Sequence, residues 1–309
     1  MTASQEDAAP AGTTAFDGSG LGVWTEPERF TVTSERIAEY AAATNDPIES
    51  HRSGEVAPPV FAVVPVFMSM APAALSVAPP DLLMKLVHGE QDFFFCRPIR
   101  AGDELVARAR PVGYAARGKG STVVVYAETR DAAGELVNEQ WLTAFFRGVD
   151  AGGAEGDAAP PHPLRPAVRS ADPVAEVGQR IDEDQTFRYS PASGDPMPIH
   201  LDDEIAQMAG LPGIINHGLC TMAFTSWAAL TELAGSDTAR LRRLAVRFAR
   251  PVLPGQEIRT RYWRSAEPGL AQAGEKAYAY ETAVPGRDGD GAGEDTVVIT
   301  DGLAVITDA

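Results

Sequence analysis

Cysteine is scarce. Only Cys96 and Cys220 occur among 309 residues, so no disulfide framework holds the chain together. Basic residues are also few: 26 Lys and Arg stand against 43 Asp and Glu, a formal net charge of -17. A surface of that sign repels phosphate backbones and anionic lipid, which argues against nucleic acid and a charged membrane as partners. No run reaches the roughly 18 apolar residues of a membrane span. The longest apolar stretch, Val60–Ala74, is broken by Pro65 and Pro72. The first twenty residues have neither a basic start nor an apolar core, so a secretory leader is not expected and a cytoplasmic location is.

Histidine is limited to His51, His88, His162, His200 and His217, and no Cys/His spacing matches a zinc site. A Walker loop, a Gly-rich dinucleotide fingerprint and Gly-x-Ser-x-Gly are all missing. Metal and redox cofactor chemistry is therefore poorly supported by motif. Cys220 lies in an apolar stretch and reads as a packed small side chain rather than a nucleophile.

What is present suffices for a core: 44% of the chain is hydrophobic, and the length suggests about two domains. Met1–Gly20, Asp150–Pro173 and Pro285–Glu294 are poor in large apolar residues and read as unstructured. The middle segment reads as a linker, residues 150–173, between a first domain at 21–149 and a second at 174–309.

The two blocks repeat one another. Tyr40, Ala43, Asp46 and His51 recur as Tyr189, Ala192, Asp195 and His200, each 149 positions on. Phe95, Arg97, Pro98, Gly102 and Glu104 recur as Phe248, Arg250, Pro251, Gly255 and Glu257, each 153 positions on. Ordered matches in two registers point to an internal duplication. Each block offers a short helix (Glu35–Thr44 in the first, with Ser34 as expected N-cap), a loop with Asp and His, an apolar helix and four strand-like runs. The apolar helix of the second block is Gly218–Leu233. The strands expected are Asp92–Phe95, Glu104–Arg110, Thr122–Thr129 and Glu139–Phe146, then Arg242–Phe248, Glu257–Arg264, Ala277–Ala283 and Thr296–Ile306. The fold class expected is α+β, each half a buried helix wrapped by an antiparallel sheet.

Tyr189–Thr221 carries the densest chemistry. Asp195 and His200 sit five apart among Gly194, Pro196 and Pro198, which favour a fixed turn over a helix. An acid and an imidazole on one rigid loop can share a water, one accepting a proton while the other donates. His217-Gly218 opens the apolar helix, where unpaired N–H groups and the dipole favour negative charge. Gly218 lets a ligand approach that backbone. Arg242, Arg243, Arg247 and Arg250 form a basic cluster in an acidic chain. Arg247 and Arg250 are candidates for meeting an anionic ligand, whereas Arg242 and Arg243 read as solvated strand-edge charges.

Tyr-x-x-x-Ser-Gly-Asp-x-x-Pro-Ile-His, then His-Gly-Leu-Cys-Thr, then Arg-Phe-x-x-Pro-Val-x-Pro-Gly resembles the MaoC-like, or type 2, enoyl-CoA hydratases, which are double hotdog proteins. The first block, with His88-Gly89-Glu90-Gln91 and Arg97-Pro98-Ile99-Arg100-Ala101-Gly102-Asp103, resembles the dehydratase-like half of the same family. The resemblance implies hydration of trans-2-enoyl-CoA to (3R)-3-hydroxyacyl-CoA, or the reverse. It gives Asp195 and His200 the acid–base roles and Gly218 the amide for the thioester oxygen. His217, Met197, Arg247 and Arg250 are assigned to substrate binding, and the coenzyme A thioester is a substrate, not a cofactor.

Two departures stand out. Met197 replaces the family's usual Asn and cannot make its hydrogen bonds. In the first block Pro59 falls near the oxyanion glycine and has no N–H to offer. One active site, in the second half, is therefore expected, with Asp46 and His51 functional as the alternative. The competing functions are dehydration of a 3-hydroxyacyl group on a carrier protein or a bulky acyl-CoA, and acyl-thioester binding without catalysis. Open sheet edges would permit a homodimer.

Overall fold

A computed structural model describes residues 16–286 and 293–308. Residues 1–15 of the expected tail and 287–292 of the expected insert lie outside the described residues. The strands are β1 (Glu28–Thr31), β2 (Leu86–Phe95), β3 (Glu104–Arg117), β4 (Gly120–Asp131), β5 (Leu136–Arg147), β6 (Ala154–Gly156), β7 (Ala175–Arg180), β8 (Leu241–Phe248), β9 (Glu257–Ser265), β10 (Glu275–Val284) and β11 (Thr296–Thr307). The helices are α1 (Ser34–Ala43), α2 (Glu49–Arg52), α3 (Phe67–Leu75), α4 (Pro166–Arg169), α5 (Gln185–Ser193), α6 (Asp203–Met208) and α7 (Gly218–Leu233).

All strands join one antiparallel sheet in the order β1-β3-β4-β5-β2-β8-β11-β10-β9-β7, with β6 added to β3. The order reads as a palindrome of two equivalent halves, and this is the α+β, double hotdog architecture expected. The halves meet where β2 pairs with β8, its own duplicate. Asp92 lies opposite Ala245, the residue 153 positions on, so an approximate twofold passes between them. A second pair of equivalents, Tyr40 and Tyr189, meets hydroxyl to hydroxyl at 3.1 Å between α1 and α5. The strands alternate as half-buried strands should: in β3, Leu105, Ala107 and Ala109 turn inward and their neighbours outward.

The central helices differ between the halves. α7 runs sixteen residues without proline and is buried on most faces. The sheet holds it through polar contacts: Tyr262 Oη donates to the Thr225 carbonyl at 2.7 Å, and Gln179 Nε2 to the Phe224 carbonyl at 2.7 Å. The first half has a 3₁₀ segment over Pro59–Val66 followed by the nine-residue α3. Pro65 removes a helix donor within the 3₁₀ segment just before α3 begins at Phe67, which keeps the rod in two pieces, whereas Pro72 is accommodated inside α3.

Three local expectations are corrected. Thr33, not Ser34, caps α1, its hydroxyl accepting from the Arg36 amide at 3.2 Å. Residues 150–173 are not structureless: they contain β6 and α4, and His162 Nδ1 donates to the Asp301 carbonyl at 2.6 Å. Arg243 is no edge charge. It is buried, with two nitrogens on the Asp92 carboxylate at 3.1 and 2.7 Å, across the junction of the halves. Among the described residues no helix is long and apolar enough to cross a membrane.

Candidate active site

The site is assembled where α5 ends and α7 begins. Gly194 closes α5 in a left-handed conformation, φ 78°, which releases the chain into the turn carrying Asp195. The Met197 amide donates to Asp195 Oδ1 at 3.0 Å and fixes the carboxylate. A 3₁₀ turn over Pro198–His200 then brings His200 back, and its Nδ1 donates to the Ile215 carbonyl at 2.9 Å. That bond sets the tautomer and leaves Nε2 as an acceptor. Asp195 Oδ2 and His200 Nε2 have no side-chain or backbone partner among the described residues.

Asp195, His200 and His217 each place one donor or acceptor atom within 4.8 Å of the others. Two hydrogen bonds of about 2.8 Å meeting at a water span roughly 4.6 Å, so a separation within that bound admits a shared water. The same set could offer a divalent ion one carboxylate and two imidazoles. The His200 and His217 rings, however, stack at 3.8 Å with planes only 26° apart. Their in-plane lone pairs run side by side rather than converging on one point, a poor arrangement for a shared metal.

Electrostatics push the whole cluster toward neutrality. Burial raises the Asp195 pKa above the ordinary carboxylate value, against the opposing pull of His200 and the Met197 amide. Burial lowers that of His200, with the Ile215 carbonyl and Asp195 opposing. His217 is driven down to about 2 by burial and by its histidine neighbour. Favouring the uncharged form of both acid and base reduces the cost of moving one proton between them through a water.

α7 begins at Gly218, and the first helix amide paired within the helix is that of Thr221, which reaches the His217 carbonyl at 3.1 Å. The amides of Gly218, Leu219 and Cys220 are therefore the unpaired start of a sixteen-residue helix. The glycine serves close approach rather than an unusual φ: a Cβ here would stand 3.2 Å from the Phe248 ring. Phe248 in turn receives the edge of His88 at 5.1 Å, brought across from the first half by β2. His88 was not among the expected site residues; its place beside Phe248 follows from the β2–β8 pairing, which no local motif reports.

The other expected residues divide. Met197 contributes its amide, while the residue is 38% exposed. Arg247 alternates with Phe248 along β8 and so projects from the opposite face. It is engaged by Glu90 at 2.8 Å and Asp301 at 3.4 Å, apart from the Asp195 cluster. Arg250 is exposed and makes no ion pair with any described residue. Its equivalent, Arg97, is clamped by Asp103 and Asp131 at 2.7 and 3.4 Å, whereas the positions equivalent to those two are Gln256 and Val284. Cys220 is fully buried, and burial lifts its thiol to about 12, in keeping with a packing role.

Comparison with known proteins now adds to the geometry. The model described as MaoC like domain matches residues 167–284, and that described as FAS1-like, dehydratase domain region matches residues 19–140. The 3-hydroxyacyl-thioester dehydratase Y of Mycobacterium tuberculosis is 32% identical over 301 residues, 93% of this chain and 97% of that protein. The chain belongs to the MaoC-like dehydratase family. As a member it is a hydro-lyase, built as a double hotdog. The peroxisomal enoyl-CoA hydratase 2 of Arabidopsis thaliana is 28% identical, with 76% of this chain and 82% of that protein aligned. The peroxisomal multifunctional enzyme type 2 of Drosophila melanogaster is 32% identical, and the chain spans 36% of its length. A MaoC-like dehydratase from Phytophthora capsici shares the fold, with a TM-score of 0.75 over 92% of this chain and 96% of that one at 24% identity.

Proposed function

We propose that this MaoC-like enzyme adds water to a trans-2-enoyl-CoA to give the (3R)-3-hydroxyacyl-CoA, or removes it in reverse, at Asp195, His200 and Gly218. The observation that carries the reading is the open Asp195–His200 pair, spaced for one water, beside the unpaired amides that begin α7. Asp195 Oδ2 and His200 Nε2 hold the water. Its oxygen bonds to C3 as a proton passes through the pair to C2 on the same face. The charge that develops on the thioester oxygen is met by the Gly218 amide. His217, neutral and stacked on His200, fixes that imidazole. Arg250 meets a phosphate of the coenzyme, a role favoured by its lack of a carboxylate clamp.

A spectrophotometric assay with crotonyl-CoA and longer trans-2-enoyl-CoAs tests this. The conjugated thioester absorbance should fall with wild type and persist with Asp195→Asn or His200→Ala. A flat wild-type trace at every chain length would overturn the reading for simple acyl chains. The second reading, dehydration of a 3-hydroxyacyl thioester on a carrier or with a bulky acyl group, is favoured by the likeness to the thioester dehydratase named above. The same pair would serve it in the opposite direction. Equal activity of wild type and Asp195→Asn would sink the assignment of Asp195.

A further inference from the structure

The first half retains Asp46 and His51 at the positions equivalent to Asp195 and His200, but arranges them differently. Asp46 Oδ1 accepts from the Ile48 amide at 2.9 Å, and Oδ2 accepts from His51 Nδ1 at 2.8 Å. Nε2 is thereby left as an acceptor, and it takes the hydroxyl proton of Thr238 at 2.7 Å. Thr238 comes from the other half of the chain, 187 positions away. The turn that bears it is fixed: Asp237 accepts from the Ala239 amide at 2.9 Å, and the Arg240 amide donates to the Asp237 carbonyl at 3.2 Å.

Carboxylate, imidazole and hydroxyl thus stand in the order of an oriented base on a nucleophile. Asp46 and His51 are buried, whereas Thr238 is partly exposed. The hydroxyl residue lies in the wall of a small open cleft, with Ala57, Pro59, Phe95, Arg97 and Leu241. By the 153-residue register, Phe95 and Leu241 are the equivalents of Phe248 and His88, which flank Gly218 in the second half. The cleft is the first half's copy of the region where an acyl thioester would enter the second. A threonine recruited only to satisfy a buried imidazole has no need to border such a cleft.

We propose that Thr238, His51 and Asp46 form a second site that accepts an acyl group from a small acyl thioester and passes it to water. The Thr238 oxygen attacks the carbonyl carbon, and its proton moves to His51 Nε2. The C–S bond breaks, and the thiolate leaves with the proton from Nε2. A water then attacks the Thr238 ester, giving one proton through His51 to the Thr238 oxygen as the C–O bond breaks. Thioester and water become acid and thiol, and no other reactant is needed.

The test uses the full chain carrying Asp195→Asn, which removes the chemistry proposed for the second half, so failure of either reading shows separately. The probes are p-nitrophenyl acetate and acetyl-CoA. With both, mass spectrometry should find one acetyl group on Thr238. Release of p-nitrophenolate and of thiol should drop by about a hundredfold or more in Thr238→Val and His51→Gln. Thr238→Ser keeps a hydroxyl and should keep the acetylation, which guards against a valine variant that merely misfolds. Acetylation elsewhere, no acetylation of either Thr238 or the serine variant, or unchanged release in a folded Thr238→Val overturns the site. Acetylation by the ester and not by acetyl-CoA overturns the thioester assignment.

Discussion

The two halves of this chain carry the same Asp and His five residues apart, and the contrast between them separates a pair closed onto a hydroxyl from one left open to water. In the first half the carboxylate bonds directly to the imidazole, and the far nitrogen is taken by Thr238. In the second half each group is anchored by backbone, Asp195 by the Met197 amide and His200 by the Ile215 carbonyl, and their facing atoms are left without a protein partner. The neighbouring helix start differs in step: Gly218 with its free amide in one half, Pro59 with none in the other. The cations follow the same division, Arg97 clamped by two carboxylates and Arg250 by none described.

The largest effect expected is at the open pair. Asp195→Asn should lower hydration by about a thousandfold. It should also raise the melting temperature at neutral pH. Burial lifts the folded pKa of Asp195 above its unfolded value of 3.8, so ionising it costs stability as pH rises past that value, and the amide escapes the cost. The matching change at the closed pair, Asp46→Asn, should instead destabilise by about 1–3 kcal/mol, because it disturbs a buried hydrogen-bonded imidazole. Thermal melts of the two variants side by side would break the comparison if both moved in one direction.

Next comes Gly218→Ala. The added carbon meets the Phe248 ring at 3.2 Å, so either the ring or the helix start must shift. A fall in kcat of roughly ten- to a hundredfold is expected, smaller than full loss of an oxyanion donor because the amide itself remains. Arg250→Ala should raise KM for a CoA thioester by about tenfold with kcat little changed, the signature of lost uniform binding. Arg97→Ala should show its effect in the melting temperature instead, and steady-state kinetics with both variants would sharpen the contrast.

The smallest effect concerns His162, which fastens the connecting segment over the junction. Burial opposes its charge, yet Glu90, Asp92 and the Asp301 carbonyl together hold its pKa above the usual 6.5. A raised folded pKa means that its stabilisation is complete below about pH 6.5 and is lost as pH rises through the folded value. Arg243, Arg247 and Asp301 also border this contact. Melting curves of wild type and His162→Gln from pH 5 to 9 should converge at the alkaline end.

Much of this was legible from sequence, and the reasons are local. The bounds of α7 follow from an unbroken apolar run behind His-Gly, and eight strand cores were expected; β2 begins six residues before its expected run, β3 ends seven after it, and β1, β6 and β7 were not expected. The duplication registers say which strands are equivalent, but not that β2 and β8 meet at the centre. What sequence could not give depended on partners far along the chain. Arg243 looked like a surface charge until Asp92 was placed 151 positions away beside it. Arg247 looked free until Glu90 and Asp301 converged on it. The closure of His51 by Thr238 links opposite halves, and no spacing rule encodes it. The connecting segment has the composition of a loose tether, and its contacts with distant residues, among them His162 and Leu164 with Asp301 and Arg169 with Glu281, hold it down.

The pairing of β2 with β8 has an evolutionary consequence. A strand that pairs with its own duplicate is the seam of a dimer whose two subunits have been fused into one polypeptide. Fusion keeps the partners at an effective concentration of about millimolar or more, whatever the level of expression. Each half is then released from having to recognise an identical copy of itself. One can lose its helix-start amide to Pro59 and recruit Thr238 while the other keeps an open water site, because the seam between them never has to be found by diffusion.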